Sequence, residues 1–146
     1  MSSKTWFAAA GFISFSIALL HIAIIFISGE GYRYFGAGEE MATMAEAGSY
    51  VPAGITAGVA LVFALFGLSA LSGAGIIRRL PLIKIILIAI TCIYLLRGTG
   101  FFIELLGFIY NYDVPLRHKV FSFVALITGL IHLTGIIKGW KNLQRK

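Results

Sequence analysis

Arg97 is the residue whose position asks most of the fold. It lies thirteen residues beyond Lys84, and residues 85–96 between them carry no charge. On a helix that separation is about 20 Å, well inside a hydrocarbon layer about 30 Å thick. A guanidinium at such depth costs at least a few kcal/mol unless it meets a partner or water. Arg97, Phe101 and Glu104 recur at i, i+4 and i+7, and Tyr94 sits three residues before Arg97 on a neighbouring line. Seven residues span about 10 Å, too far for a direct ion pair, so a ligand or a third residue would have to bridge Arg97 and Glu104. This polar stripe suits an anionic or amphipathic molecule. Arg97 would contact the anion, and Glu104 and Tyr94 would orient or counterbalance it. The competing reading ends the helix near Leu96, at Gly98 and Gly100, and lets Arg97 reach out to the interface.

His21 lies fifteen residues after Trp6, about 22 Å along a helix and at a depth similar to that of Arg97. With Ser14 and Ala18 it forms a face of small and polar residues, where it would act as a hydrogen-bond partner or proton acceptor. A lone helix histidine is equally a structural hydrogen-bonding residue. Tyr32 and Arg33 would line the mouth of such a site, although Tyr32, Tyr34 and Phe35 together first read as an aromatic belt. His118, within Arg117-His118-Lys119 and near Asp113, reads as part of a solvated cluster. His132 continues the line Ser122, Ala125, Gly129, which reads as a packing face. A haem held by two histidines needs both at one level, and the depths of His21, His118 and His132 do not match.

Cys92 is the single cysteine, and no Cys-x-x-Cys motif is present, so neither a zinc site nor a disulfide is expected. There is no P-loop, no G-x-S-x-G and no H-E-x-x-H motif. No Asp or Glu lies deep in an apolar run, which argues against a proton-coupled exporter. No cofactor and no metal are expected, and an enzyme is the weaker reading.

The elements that must position these residues follow from composition. Of 146 residues, 59% are hydrophobic and 12% charged, and the mean hydropathy is +0.93. A soluble domain carries about 25% charged residues, so this chain could not cover a soluble surface. Disordered, disulfide-scaffold and ordinary cytosolic classes are excluded. Four apolar stretches, about 6–27, 51–77, 82–106 and 120–138, each approach the length of about 20 residues that spans a bilayer. The first is too long for a signal-peptide core and no Ala-x-Ala site directly follows it, so it reads as a retained helix. The fold expected is all-α: one transmembrane domain over 1–146, built as an antiparallel four-helix bundle, because spanning helices satisfy their backbone internally and then pack on one another.

Charge sets the expected orientation. Lys4, Arg78, Arg79, Lys84, Lys138, Lys141, Arg145 and Lys146 fall on one side with no acidic residue. Arg33, Arg97, Arg117 and Lys119 fall on the other with all 6 acidic residues. Both termini are therefore expected in the cytoplasm, and the net charge of +6 reflects topology rather than a nucleic-acid partner. In the first outer loop, residues 39–47 read as a short interfacial helix. Glu39 and Glu40 sit in its first turn, and Met41, Met44, Ala45 and Gly48 lie on one face, where it could serve as a lid. Gly54-Ile55-Thr56-Ala57-Gly58 is a G-x-x-x-G pattern that favours close helix packing and permits a homo-oligomer.

Several stretches carry a resemblance: Tyr32-Arg33-Tyr34-Phe35-Gly36-Ala37-Gly38-Glu39-Glu40, Leu65-Phe66-Gly67-Leu68-Ser69-Ala70-Leu71-Ser72-Gly73-Ala74-Gly75, Arg79-Leu80-Pro81-Leu82 and Tyr94-Leu95-Leu96-Arg97-Gly98. Over most of its length the chain resembles a family of small, uncharacterised four-helix inner-membrane proteins of proteobacteria. In size and topology it is also similar to DoxX-like proteins, by architecture alone. The resemblance implies a multi-pass protein of the bacterial inner membrane and brings no activity or site residue with it.

The function expected is binding, with translocation as an extension, of a small amphipathic or anionic ligand in an outward-facing intramembrane cavity lined by Arg97, His21, Glu104, Tyr94, Tyr32 and Arg33. Membrane lipids and a lipid-like or anionic small molecule are the expected partners. Two other classes stay open: a membrane oxidoreductase or lipid-modifying enzyme acting on a quinone or lipid, and an accessory subunit of a larger membrane complex.

Overall fold

The computed structural model describes residues 2–110 and 114–144. Asp113, Arg145 and Lys146, which enter the charge argument, lie outside the described residues. Among those described, every regular element is a helix: α1 (Ser3–Ile27), α2 (Gly29–Phe35), α3 (Glu39–Glu46), α4 (Val51–Ala74), α5 (Ile83–Ile109) and α6 (Leu116–Gln144). α1, α4, α5 and α6 are long and apolar enough to cross a membrane. They leave large apolar side chains uncovered, Phe26 at 84% and Leu96 at 71% exposure among them. In water such surface would drive association; against lipid tails it costs nothing. By length and composition, the chain has the makings of a multi-pass membrane protein.

Helix ends depart from the hydropathy profile where polar residues are helical. α5 runs through Gly98 and Gly100 to Ile109, so Arg97 lies inside the helix and not at its end. α6 extends from Leu116 to Gln144, taking in Arg117, Lys119, Lys138 and Lys141, whose charges hide a helix from hydropathy. α4 stops at Ala74 because Gly75 adopts φ +72, and the Ile76 N–H turns back to the Leu71 carbonyl at 3.0 Å, a glycine-closed helix end.

The loop between α1 and α4 holds two helices where one was expected. α2 is closed by Gly36 in the left-handed region, with the Ala37 N–H donating to the Tyr32 carbonyl at 2.9 Å. Gly38, at φ +100, starts α3.

The chain divides into two compact units, Met1–Ile13 with Phe66–Lys146, and Ser14–Leu65. The core of the first gathers Phe7, Ala74, Ile83, Leu87, Ile136 and Leu143. Its α5 and α6 pack along their length, and the contacts run in opposite chain directions. Lys84 stacks its ammonium over the Trp140 ring, 3.5 Å from its centroid. Tyr94 stacks on His132 at 5.4 Å, Gly98 faces Leu126, and Gly100 faces Ser122. A Cβ on Gly98 would fall 2.6 Å from Leu126 Cα, so only glycine admits this backbone approach. Ser122, Ala125, Gly129 and His132 are all buried, in keeping with the packing face read from their spacing.

The core of the second unit is Ile24, Tyr32 and Ala42, with Phe35, Met41 and Ala45 against it. Tyr32 is therefore a core residue, 1% exposed, and not the belt aromatic its neighbours imply. Tyr34, by contrast, is 57% exposed. Gly54 and Gly58 have no heavy atom near enough to meet an added Cβ. The close packing that this pattern implied is found instead at Gly98 and Gly129.

Candidate functional site

α2 and α3 are fastened by Arg33. Its guanidinium lies between Glu39 and Glu46. Nε donates to Glu39 Oε2 at 2.9 Å, and Nη2 donates to Glu39 Oε1 at 2.8 Å and to Glu46 Oε2 at 2.9 Å. Gly29 leaves room for this arrangement, since a Cβ there would overlap the Glu46 carboxylate. The hydrogen bonds from Arg33 hold both carboxyl groups below their ordinary pKa. Those to Glu46 and then Glu39 raise the guanidinium's own value further. Two carboxylates around one planar fork is the geometry arginine recognises best.

The helices so fastened wall a cavity of about 220 Å³ within the second unit. Ile24, Phe35, Met41, Ile55 and Val59 make it apolar, and His21, Tyr32 and Thr56 supply its polar groups. His21 Nδ1 lies 2.7 Å from the Ile17 carbonyl oxygen one turn below, and its ring packs on Phe63 at 5.2 Å. The Tyr32 hydroxyl is buried and has no hydrogen-bond partner among the described residues. A buried hydroxyl left unsatisfied costs on the order of 1–3 kcal/mol.

In the first unit, Arg97 and Glu104 meet through a third residue. Arg97 Nη1 donates to Ser122 Oγ at 2.7 Å, and the Ser122 hydroxyl donates to Glu104 Oε1 at 2.8 Å. Glu104 Oε2 is buried and has no partner among the described residues. Tyr94 is 3% exposed and lies between the rings of Phe66 and His132. A larger cavity of about 350 Å³ lies elsewhere in this unit, beside Lys4 and Arg79. Among the described residues no imidazole or carboxylate lines it, and Arg79 Nη2 there donates to the Asn142 carbonyl at 2.9 Å.

The six residues singled out from the sequence thus fall into two sets. His21 and Tyr32 share a cavity, with Arg33 securing its wall. Arg97 and Glu104 share a hydroxyl bridge, with Tyr94 three residues from Arg97 on the same helix. Three participants were missed. Ser122 read only as a packing residue, Glu46 stands thirteen residues from Arg33 with no periodic link to it, and Thr56 was hidden inside the G-x-x-x-G pattern. Among the described residues no cluster of three or more metal-ligating side chains occurs. No family model, curated protein or solved structure matches the chain.

Proposed function

We propose that the chain is a four-span protein of the bacterial inner membrane, an antiparallel bundle with both termini in the cytoplasm, that binds a small lipophilic molecule in the His21–Tyr32 cavity. On this orientation α2 and α3 lie at the outer surface and the cavity opens outward. The observation that carries the reading is an apolar hollow of about 220 Å³ walled by Ile24, Phe35, Met41, Ile55 and Val59, with His21 and Thr56 among its lining residues. Apolar cavities of about 150 Å³ hold benzene, so this one has room for a ring bearing a short chain. The Arg97–Ser122–Glu104 bridge engages one of the guanidinium's N–H donors and sets a carboxylate on the same hydroxyl, so the anion contact expected of Arg97 has the weaker support.

The test is native mass spectrometry of protein purified gently in lipid nanodiscs, beside the variant Val59→Trp, which fills the cavity with an indole. The parent is expected to retain a small molecule that the variant lacks. Identical sets of retained molecules from the two proteins would overturn the assignment.

A further inference from the structure

The hollow of about 350 Å³ in the first unit gathers charge of one sign. It lies where α1 begins and where α4 and α6 end. Lys4 and Arg79 are the charged residues that line it among those described. Residues 1–29, 47–103 and 114–146 contain no Asp or Glu, so none of the segments that meet here supplies a carboxylate. The ion pairs among the described residues are those of Arg33, and neither cation of the hollow is spent on one. The wall that carries Arg79 is fixed in place. Ser72, buried on α4, accepts from the Leu80 N–H at 2.9 Å and donates to the Arg78 carbonyl at 3.3 Å, so both neighbours of Arg79 are tied to it. Arg79 itself gives one N–H to the Asn142 carbonyl at 2.9 Å. That bond covers a carbonyl at the end of α6, where the helix dipole would repel an anion. An arginine has five N–H donors, so the fork keeps donors for a ligand.

Phe7, Ala74, Ile77 and Leu143 make the rest of the lining apolar. A bare inorganic anion gains nothing from such a surface, whereas a phosphate that carries hydrocarbon does. Two tryptophans mark the level of the hollow. Gly139 of its wall precedes Trp140, whose exposed ring carries the Lys84 ammonium 3.5 Å from its centroid. Trp6 stands two residues after Lys4, with Lys138 Nζ 5.7 Å from its ring centroid. Tryptophan concentrates at the depth of lipid head groups, and arginine binds phosphate in its planar fork. We propose that this hollow binds the phosphate of an anionic phospholipid, held by Lys4 and Arg79, with the start of its hydrocarbon against Phe7, Ile77 and Leu143. On the orientation proposed above it faces the cytoplasmic leaflet, where basic residues attract anionic lipid. The site is separate from the His21–Tyr32 cavity and does not depend on what that cavity holds.

The test is native mass spectrometry of the full chain in detergent, titrated with dioleoylphosphatidylglycerol or dioleoylphosphatidylcholine. The two lipids share their tails and differ in net head-group charge. Phosphatidylglycerol is expected to bind about tenfold or more tightly, the worth of a charged hydrogen bond. Lys4→Gln and Arg79→Gln should each remove most of that preference. Arg79→Gln also releases Asn142, whereas the Lys4 side chain has no hydrogen bond or ion pair to another described residue, so Lys4→Gln reports on the lipid alone. Arg78→Gln removes the same charge from a neighbouring position outside the hollow and should keep the preference, as should Val59→Trp. Equal binding of the two lipids by the parent overturns the proposal. Equal losses in Arg78→Gln and Arg79→Gln overturn it in favour of diffuse attraction to a basic surface. Glycerol 3-phosphate that displaces phosphatidylglycerol at equal concentration overturns the lipid as the source and assigns the phosphate contact to a soluble ester.

Discussion

Arg97 and Glu104, seven residues apart on α5, are joined by the Ser122 hydroxyl of α6, which accepts from Arg97 Nη1 at 2.7 Å and donates to Glu104 Oε1 at 2.8 Å. The helix carries the two charged groups on one face, and the hydroxyl fills the gap that their rise leaves. Ser122 is fully buried, so no water can take its place without the helices parting.

Ser122→Ala removes both bonds at once and leaves two polar atoms facing a methyl group. We expect a loss of about 1–3 kcal/mol in unfolding of the detergent-solubilised protein. Arg97→Leu should cost a similar amount. The double variant Ser122→Ala/Arg97→Leu should cost clearly less than the two losses added, because residues in one hydrogen-bond network do not act independently. Strict additivity would show that the bridge carries no stability.

The approach of α5 to α6 makes a second expectation. A Cβ at Gly98 would stand 2.6 Å from Leu126 Cα, and one at Gly129 would stand 3.0 Å from Leu95 N. The clash at Gly98 is with backbone, which cannot rotate away, whereas the nearest atoms at Gly129 belong to the Leu95 side chain. Gly98→Ala should destabilise by about 1–3 kcal/mol, the ordinary cost of overpacking. Gly54→Ala and Gly58→Ala meet open space and should be neutral or gain up to about 1 kcal/mol from helix propensity. Equal effects at Gly54 and Gly98 would contradict the packing described.

How far the chain could be read in advance depended on which physics acts locally. The four long helices were legible because each is apolar on every side over a length that could cross a membrane. Their ends were not, since Arg117 and Lys138 lower hydropathy without breaking a helix. α2 escaped notice because its seven residues, Gly-Glu-Gly-Tyr-Arg-Tyr-Phe, include two glycines and show no periodicity. Tertiary contacts hold it, with Tyr32 against Ile24 and Ala42 and Arg33 against two glutamates. The face shared by Arg97 and Glu104 was visible as spacing. Ser122 as its bridge was not, because the register between two helices is written in their packing and not in either segment alone.

Orientation yields a third expectation. The strongest charge asymmetry separates the α4–α5 turn and both ends of the chain from the loop that carries α2 and α3. A reporter active only in the cytoplasm, fused after Lys146, should give signal. The same reporter inserted at Ala42 should not, and a periplasmic reporter should give the reverse pair. Matching signals at the two sites would rule out four spans with the termini inside.

The Arg33 clamp makes the last expectation, and its sign follows from the carboxylates. Hydrogen bonds from Arg33 lower the pKa of Glu39 and Glu46 in the folded protein, while Arg33 stays charged throughout. The clamp's contribution is therefore fully present above the ordinary glutamate value of about 4.3, and it is lost as pH falls through the lowered folded values. Carboxyl ¹³C shifts should show Glu39 and Glu46 titrating below that value, and Arg33→Gln should return both toward it. These groups are solvent-exposed, so added salt should shrink the displacement. Because α2 and α3 carry Tyr32, Phe35 and Met41 of the cavity wall, affinity for a cavity ligand should fall over the same acidic window. In Arg33→Gln it should already be reduced at neutral pH. Normal glutamate titration in the parent would show the clamp to be open in solution, and unchanged affinity in Arg33→Gln would show that it does not hold the cavity.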